Sequence, residues 1–320
     1  MIKIIIIIAT IVTIIVLSVY LFYRYKFIEK NMLIKSLHNT NLDYILENYD
    51  TNIKKTDYPS SYIYEIFVSN GFKNILNNTL KIQKYFGVNK TVYGIKKVNN
   101  EYFFEYYYYY PNENIKHNLL NILKFFKIKK NINLKNYYLV SFELKNNDVN
   151  KLEELNIYHT KNNCNHNSPI NFHNDFIICK KCLECYNVTL NILSNKMVKK
   201  NTYKFFFRNS SSNEEIFNYT KSIIKKNIDL KKIFSDNLLS CKKSICITQK
   251  PNSYGFYFSL LPFDNFIKFM QDTNFNNEFS NKLINNKDKL SYLLFDIGFD
   301  IIIKEDNSIL FTKLSFYGIL

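Results

Sequence analysis

The stretch TVYGIKKVNNEYFFEYYYYY, residues 91–110, decides the fold. Its two halves are rich in β-branched and aromatic residues, which favour strands, and they flank Asn99 and Asn100, which favour a tight turn. The pattern predicts two antiparallel strands joined as a β-hairpin. Pro111 follows and has no amide hydrogen to give to a sheet, so we expect it to end the second strand.

The elements predicted around this hairpin recur in the same order further along the chain. In the first stretch, the flanking strands and helices are predicted at Tyr62–Val68, 75–86, 119–126 and Tyr137–Leu144. The second stretch begins with a predicted strand at Tyr203–Arg208 and a helix capped by Ser212 or Asn213. A predicted hairpin follows, formed by Ser244–Lys250 and Tyr254–Leu260. Helical runs at Phe266–Met270 and 283–295 come next, and a hairpin of Phe299–Lys304 with Ile309–Lys313 closes the stretch. Pro262 follows the second hairpin as Pro111 follows the first.

Both stretches have the order β-α-β-β-α-β, which is that of a ferredoxin-like sandwich. The sequence therefore predicts an α+β fold with two tandem ferredoxin-like units, residues 59–145 and 201–320, separated by an insert at 146–200. An α+β chain without a true repeat can give a similar string of elements, and this alternative stays open.

Residues 4–23, IIIIIATIVTIIVLSVYLFY, contain no charged residue, Pro or Gly. As a helix this run is about 30 Å long, which is the thickness of the hydrocarbon core of a bilayer. It is too long for a cleavable signal peptide, and no small-x-small cleavage site follows it. We expect residues 1–30 to be a single-pass transmembrane helix in the lipid bilayer and residues 31–58 to be a stalk. Lys and Arg residues concentrate after the run, which places the bulk of the chain in the cytosol.

The 320 residues carry a formal net charge of +16. Such a charge is typical of proteins that bind nucleic acid or anionic membranes. The chain also has 26 Tyr, 28 Phe, only 6 Gly and no Trp, a bias towards residues with A+T-rich codons, as in some large DNA viruses and protists. Because genome composition explains much of the basic excess, the charge alone does not favour nucleic acid as the partner.

The insert contains a cluster of Cys and His residues with the spacing Cys-x2-Cys-x2-Cys. Thiolates two residues apart can hold one metal ion from a tight turn, and mixed thiolate and imidazole ligands favour zinc. The predicted ligands are Cys164, His166, His173, Cys179, Cys182 and Cys185. Free thiols are a second interpretation, and disulfides are a third, with Cys241 and Cys246 pairing locally or with the insert.

The chain lacks the glycine-rich phosphate loop, the dinucleotide fingerprint, the nucleophile elbow and the His-Glu-x-x-His signature. These absences favour a protein that is not an enzyme. Glu101 and Glu105 share one face of a predicted strand, and Glu143 lies on another strand. Three carboxylates on one sheet bind a cation in some proteins and form a solvated face in most.

Ile66-Phe-Val-Ser-Asn70 and, more loosely, Phe205-Phe-Phe-Arg-Asn209 resemble one ribonucleoprotein strand of an RNA-recognition motif, and Tyr254-Gly-Phe-Tyr-Phe258 resembles part of the other. The resemblance implies strand aromatics that stack on bases. The leading interpretation is a membrane-anchored, non-enzymatic protein that binds an unknown protein partner at a membrane or virion surface. The alternative is a membrane-tethered protein that binds RNA or single-stranded nucleic acid.

Overall fold

The computed structural model describes residues 60–69, 79, 82, 91–109, 121, 123–128, 137–145, 148, 152–160, 184–191, 196–208 and 211–319. The strands are β1 (Thr91–Val98), β2 (Glu101–Tyr109), β3 (Tyr137–Lys145), β4 (Leu152–Thr160), β5 (Glu184–Asn191), β6 (Lys196–Phe207), β7 (Ser244–Gln249), β8 (Tyr254–Pro262), β9 (Leu294–Ile303) and β10 (Ile309–Ile319). The helices are α1 (Ser60–Ser69), α2 (Asn213–Ile224), α3 (Asp236–Leu239), α4 (Phe263–Asp272), α5 (Asn277–Asn285) and α6 (Lys287–Leu290), with a 3₁₀ turn at Leu230–Lys232.

The ten strands form one antiparallel sheet in which each strand pairs with its neighbours in sequence. The sheet closes because β1 pairs with β10 as well as with β2: Gly94 lies opposite Tyr317 on one side and opposite Glu105 on the other. The prediction of two ferredoxin-like units is therefore wrong, since strands from both predicted stretches share a single curled sheet. The pairing of β1 with β10 joins segments far apart in sequence, and no local pattern indicates it.

The segment expected to be an insert supplies strands to the same barrel. β4, β5 and the first residues of β6 lie within 146–200, and β5 pairs with β4 on one side and β6 on the other. The order of elements continues through this segment without interruption, so it does not separate two folded units.

The run Tyr62–Val68 forms part of α1 and is not a strand. Its aromatic and β-branched residues have high β-propensity, but propensity yields to packing when apolar residues also recur at helical spacing. Ile63, Tyr64 and Phe67 are almost fully buried, and α1 contacts β10 and α5. The Tyr64 hydroxyl is hydrogen-bonded to that of Tyr106 at 2.9 Å, which ties the helix to β2.

No helix in the described part of the chain is long and apolar enough to cross a membrane. The helix α2, for example, has 12 residues and is about 18 Å long, against about 30 Å of hydrocarbon. The predicted transmembrane helix and single-pass membrane localisation are thus contradicted as far as the described residues go. Residues 4–23 lie outside them.

The apolar core lies between the outer surface of the barrel and the helices. Along the strands, core residues alternate with residues that face the opposite side of the sheet, as the pleat requires. The Phe266 ring of α4 stacks on Phe295 of β9 at 4.0 Å between ring centroids, and Phe67 of α1 meets Phe316 of β10 edge-to-face at 6.1 Å. The helices therefore cover an apolar outer wall and leave the polar face of the sheet inside.

Candidate ligand-binding cavity inside the barrel

The barrel encloses a cavity of about 520 Å³ whose lining includes side chains from all ten strands. Only the interior of a closed sheet can meet every strand in this way, so the cavity is the lumen. Its volume is within the range of about 300–1,000 Å³ that is common for small-molecule sites. The described lining residues include three lysines and five carboxylates. The lumen is therefore not basic, although the chain carries +16.

On one wall, Lys96 of β1 contacts two glutamates, one on β2 and one on β3. Glu105 and Glu143 lie directly opposite each other on β2 and β3, an arrangement that repels unless a cation intervenes. The Lys96 ammonium lies 3.0 Å from Glu105 Oε1 and also donates to Glu143 Oε2. Tyr107 donates its hydroxyl to Glu105 Oε2 at 2.6 Å.

The electrostatics of this wall follow from burial and from the shared lysine. Burial raises the pKa of Glu105, but the Lys96 and Lys313 ammonium groups outweigh it and hold that pKa below its usual range. Burial raises the pKa of Glu143, and although Lys96 opposes this shift, the Glu105 charge adds to it. One ammonium thus serves two carboxyl groups, and the pKa values of the two move in opposite directions.

On another wall, two lysines share one carboxylate. Lys250 donates to Asp300 Oδ2 at 2.5 Å, and the Lys313 ammonium lies 3.4 Å from Asp300 Oδ1. Lys313 also donates to the Tyr257 hydroxyl at 2.9 Å. Burial and the neighbouring Lys313 lower the pKa of Lys250 to about 8, while Asp300 opposes the shift. Burial lowers the pKa of Lys313, but Asp300, Tyr317 and Glu105 together outweigh burial and keep that pKa raised.

One buried acceptor atom of the lining, Asn201 Oδ1 of β6, has no hydrogen-bond partner within the described part of the structure. Asp300 Oδ1 of β9 also accepts no hydrogen bond there, but it forms the ion pair with Lys313 at 3.4 Å. Asn201 is fixed in place because its backbone amide donates to Asn187 Oδ1 at 3.1 Å. An unpaired buried acceptor costs about 1–3 kcal/mol, so Asn201 Oδ1 is suited to accept a hydrogen bond from a molecule in the lumen.

Glycines make room for aromatic rings on the inner wall. A Cβ at Gly298 would lie 2.7 Å from Cε1 of Tyr257, and one at Gly94 would lie 2.7 Å from Cε1 of Tyr317. Both distances are shorter than a carbon–carbon contact allows. The two glycines therefore let the tyrosine rings lie flat on neighbouring strands, which keeps the centre of the lumen open.

The predicted zinc ligands fall mostly outside the described residues. Cys164, His166, His173, Cys179 and Cys182 lie there, and Cys185 lies in β5, opposite Tyr203 of β6. The described residues contain no group of three or more His, Cys, Asp or Glu side chains placed to hold a metal ion. Because five of its six ligands lie outside the described residues, the expected zinc site is not tested here and stays a prediction. Cys241 and Cys246 are both buried, and no disulfide joins them.

The acidic residues chosen from the sequence separate into two environments. Glu105 and Glu143 meet inside the lumen, whereas Glu101 forms an exposed ion pair with Lys145 at 2.8 Å. The sequence patterns used above did not identify the lysines of the lumen or Asp300. A pattern that indicates such residues is the alternation of apolar residues with small or charged ones within a strand, as in Asp296-Ile-Gly-Phe-Asp300. This alternation predicts one polar and one apolar face.

The aromatic residues behind the RNA-recognition resemblance do not form an exposed sheet face. Residues 66–69 are in α1. Phe256 and Phe258 of β8 are fully buried, and their rings pack on Phe234 at 5.5 and 6.1 Å. These two rings are therefore closed to stacking on bases.

No protein-family model matches the chain, and a search of curated proteins gives no match.

Proposed function

We propose that the protein binds a small polar molecule, rich in hydroxyl groups, in the lumen of the barrel. The observation that carries the proposal is the polar lining of a cavity of about 520 Å³, which includes Asn201, whose Oδ1 has no hydrogen-bond partner among the described residues. A ligand hydroxyl is a donor, so it can supply the partner that this acceptor lacks.

A purely structural role explains the polar lumen less well. Buried ion pairs contribute little to stability and are often replaced by apolar residues without loss. Both charged groups of the lumen are buried, and neither has equal numbers of amines and carboxylates. Lys96 lies between two glutamates, whereas Lys250 and Lys313 share one aspartate. If the lumen served stability alone, apolar side chains would fill it at a lower cost in free energy. A binding site, by contrast, needs fixed polar groups around open space.

The chemistry of the walls narrows the class of ligand. Among the described residues, the lining mixes lysines, carboxylates, asparagines and tyrosines, which together both donate and accept hydrogen bonds. A strongly anionic ligand such as a nucleic acid meets more carboxylates than lysines here. Polyols and small sugars, which are neutral and carry many hydroxyls, fit this mixture and a volume of about 520 Å³.

The test is thermal unfolding of the full chain with three- to six-carbon polyols and sugars, from glycerol and xylitol to glucose. A ligand at a hundredfold excess over its Kd stabilises the folded protein by about 2.7 kcal/mol, which raises Tm by a few degrees. Isothermal titration calorimetry then gives the stoichiometry, expected to be one.

The matched variants make the same change inside and outside the lumen. Asn201→Leu removes the unpartnered acceptor, and we expect it to abolish the ligand-induced rise in Tm. Asn285→Leu makes the same replacement at an exposed position of α5 and should leave that rise unchanged. The proposal is wrong if no compound of the panel raises Tm, or if both variants respond equally.

A further inference from the structure

The amine of Lys250 lies in the lumen directly after β7. The turn that follows holds its backbone, because the Lys250 amide donates to the Ser253 carbonyl at 3.0 Å. Its side chain is 16% exposed and lines the cavity. The Nζ atom donates to Asp300 Oδ2 at 2.5 Å, so the amine has a fixed position and a carboxylate beside it.

A second ammonium group competes for the same carboxylate. Lys313 reaches Asp300 Oδ1 at 3.4 Å and is further held by the Tyr257 hydroxyl at 2.9 Å. Two cations on one carboxylate favour loss of a proton from one of them. Burial and the Lys313 charge lower the pKa of Lys250 to about 8, while the pKa of Lys313 stays raised. A desolvated lysine next to another cation is the arrangement that activates amines towards carbonyl groups.

We propose that Lys250 forms an imine with a small hydroxylated aldehyde or ketone bound in the lumen. This inference rests on the proposed function, and it adds a reactive carbonyl to the ligand. The geometry behind it is an amine fixed at the wall of the cavity beside a carboxylate that a second cation shares, with an unpartnered acceptor, Asn201 Oδ1, on a residue of the same lumen.

The reaction balances with the groups present. The neutral Lys250 nitrogen attacks the carbonyl carbon, a C–N bond forms, and the carbonyl oxygen takes up a proton to give a carbinolamine. The carbinolamine then loses its hydroxyl group with one further proton as water, and a protonated imine remains. Asp300, at 2.5 Å from the nitrogen, is placed to take the amine proton and return it to the departing oxygen. Overall, one ammonium and one carbonyl give one iminium and one water.

The charge balance of the wall is unchanged by this reaction. An iminium carries the same positive charge as the ammonium it replaces, so Asp300 keeps its counter-ion in the buried site. A hydroxyl group of the bound molecule can donate to Asn201 Oδ1, an acceptor without a hydrogen-bond partner among the described residues. The site thus matches the hydroxyls and the carbonyl of one short-chain sugar.

The experiment is reductive trapping with D-glyceraldehyde and cyanoborohydride on the full chain, with the modified lysines mapped by mass spectrometry. The exposed Lys268 and Lys304 are internal references. At pH 7.5 a lysine with a pKa of about 8 has about a hundredfold more neutral amine than one near 10.4. Allowing for the lower nucleophilicity of a less basic amine, we expect labelling of Lys250 to be at least about tenfold faster than that of the references.

The pH profile and one variant separate a reactive site from simple accessibility. Labelling of Lys250 should rise with pH to a midpoint near 8. Lys313→Met removes the competing cation, leaves Asp300 to Lys250 alone and should move the midpoint upwards. Circular dichroism confirms that the variant is folded.

Two outcomes overturn the inference: Lys250 labelled no faster than Lys268 and Lys304, or a midpoint near 10 in the unmodified chain. Xylitol, which has hydroxyls and no carbonyl, separates this failure from failure of the proposed function. If xylitol raises Tm and Lys250 is not trapped selectively, the lumen binds polyols and only the imine is wrong. If neither occurs, both proposals are wrong.

Discussion

Replacing Lys96 with Met removes the ammonium group between Glu105 and Glu143, and we expect a large, pH-dependent loss of stability. All three residues are largely buried, and breaking a buried ion pair by removing one partner costs about 3–5 kcal/mol. The folded variant can limit this cost by protonating one of the two carboxyls. Protonating a carboxyl of pKa about 4.3 costs about 5 kcal/mol at pH 8 and about 1 kcal/mol at pH 5. The loss should therefore be about 3–5 kcal/mol at pH 8 and shrink to about 1 kcal/mol at pH 5.

The assay is urea unfolding of the unmodified chain and the Lys96→Met variant from pH 5 to pH 8. Lys145→Met is the control, because it breaks an ion pair with Glu101 at a similar distance, 2.8 Å, on the surface, where such pairs contribute less than about 1 kcal/mol. Adding Glu143→Gln to Lys96→Met removes the surplus charge and should restore most of the stability at pH 8. A loss that is equal at pH 5 and pH 8, or no larger than that of the control, refutes the reasoning.

Two further substitutions test a buried carboxyl group and a glycine of the lumen. Burial raises the pKa of Asp296 to about 6, above its unfolded value of about 3.9, so its protonated form favours folding and about 2 kcal/mol of stability is lost as pH rises from 4 to 6. Asp296→Asn still accepts from the Leu260 amide and should flatten this loss in urea titrations; an unchanged slope contradicts the assignment. Gly298→Ala places a methyl group against the Tyr257 ring and should push it into the lumen, slowing glyceraldehyde labelling severalfold. The control Gly318→Ala crowds an outer tyrosine and should not affect labelling; equal effects of the two variants count against the open lumen.

Local signals in the sequence predicted several elements correctly. The hairpin of β1 and β2 turns at Asn99 and Asn100, which both have positive φ, as the Asn-Asn pair indicated. The predicted cap Ser212 accepts from the Glu215 amide at the start of α2. These features depend on neighbouring residues, so single-sequence patterns contain them. The errors lie in long-range packing, since α1 is a helix because of what it packs against.

The polar lumen was partly visible in the sequence but was assigned to the wrong place. Alternation within a strand shows that the two faces of a sheet differ, and Glu105 was therefore placed on a polar face. Alternation does not show whether that face meets solvent or the inside of a barrel. The pairing of β1 with β10 decides this, because it turns the polar face of all ten strands inwards.

The number of strands then determines that the lumen is open. Side chains just fill a barrel of about eight strands, and wider barrels leave space. This barrel has ten strands. Gly94 and Gly298 occupy two of its inward positions, and tyrosine rings lie flat against them. The barrel therefore keeps a cavity of about 520 Å³. A cavity among buried charges persists only if the folded state gains elsewhere, and the apolar outer wall beneath the helices supplies that gain. The same alternation that puts Phe256 and Phe258 into the outer core thus leaves Tyr257 facing the lumen, so stability and the binding chemistry are carried by opposite faces of one sheet.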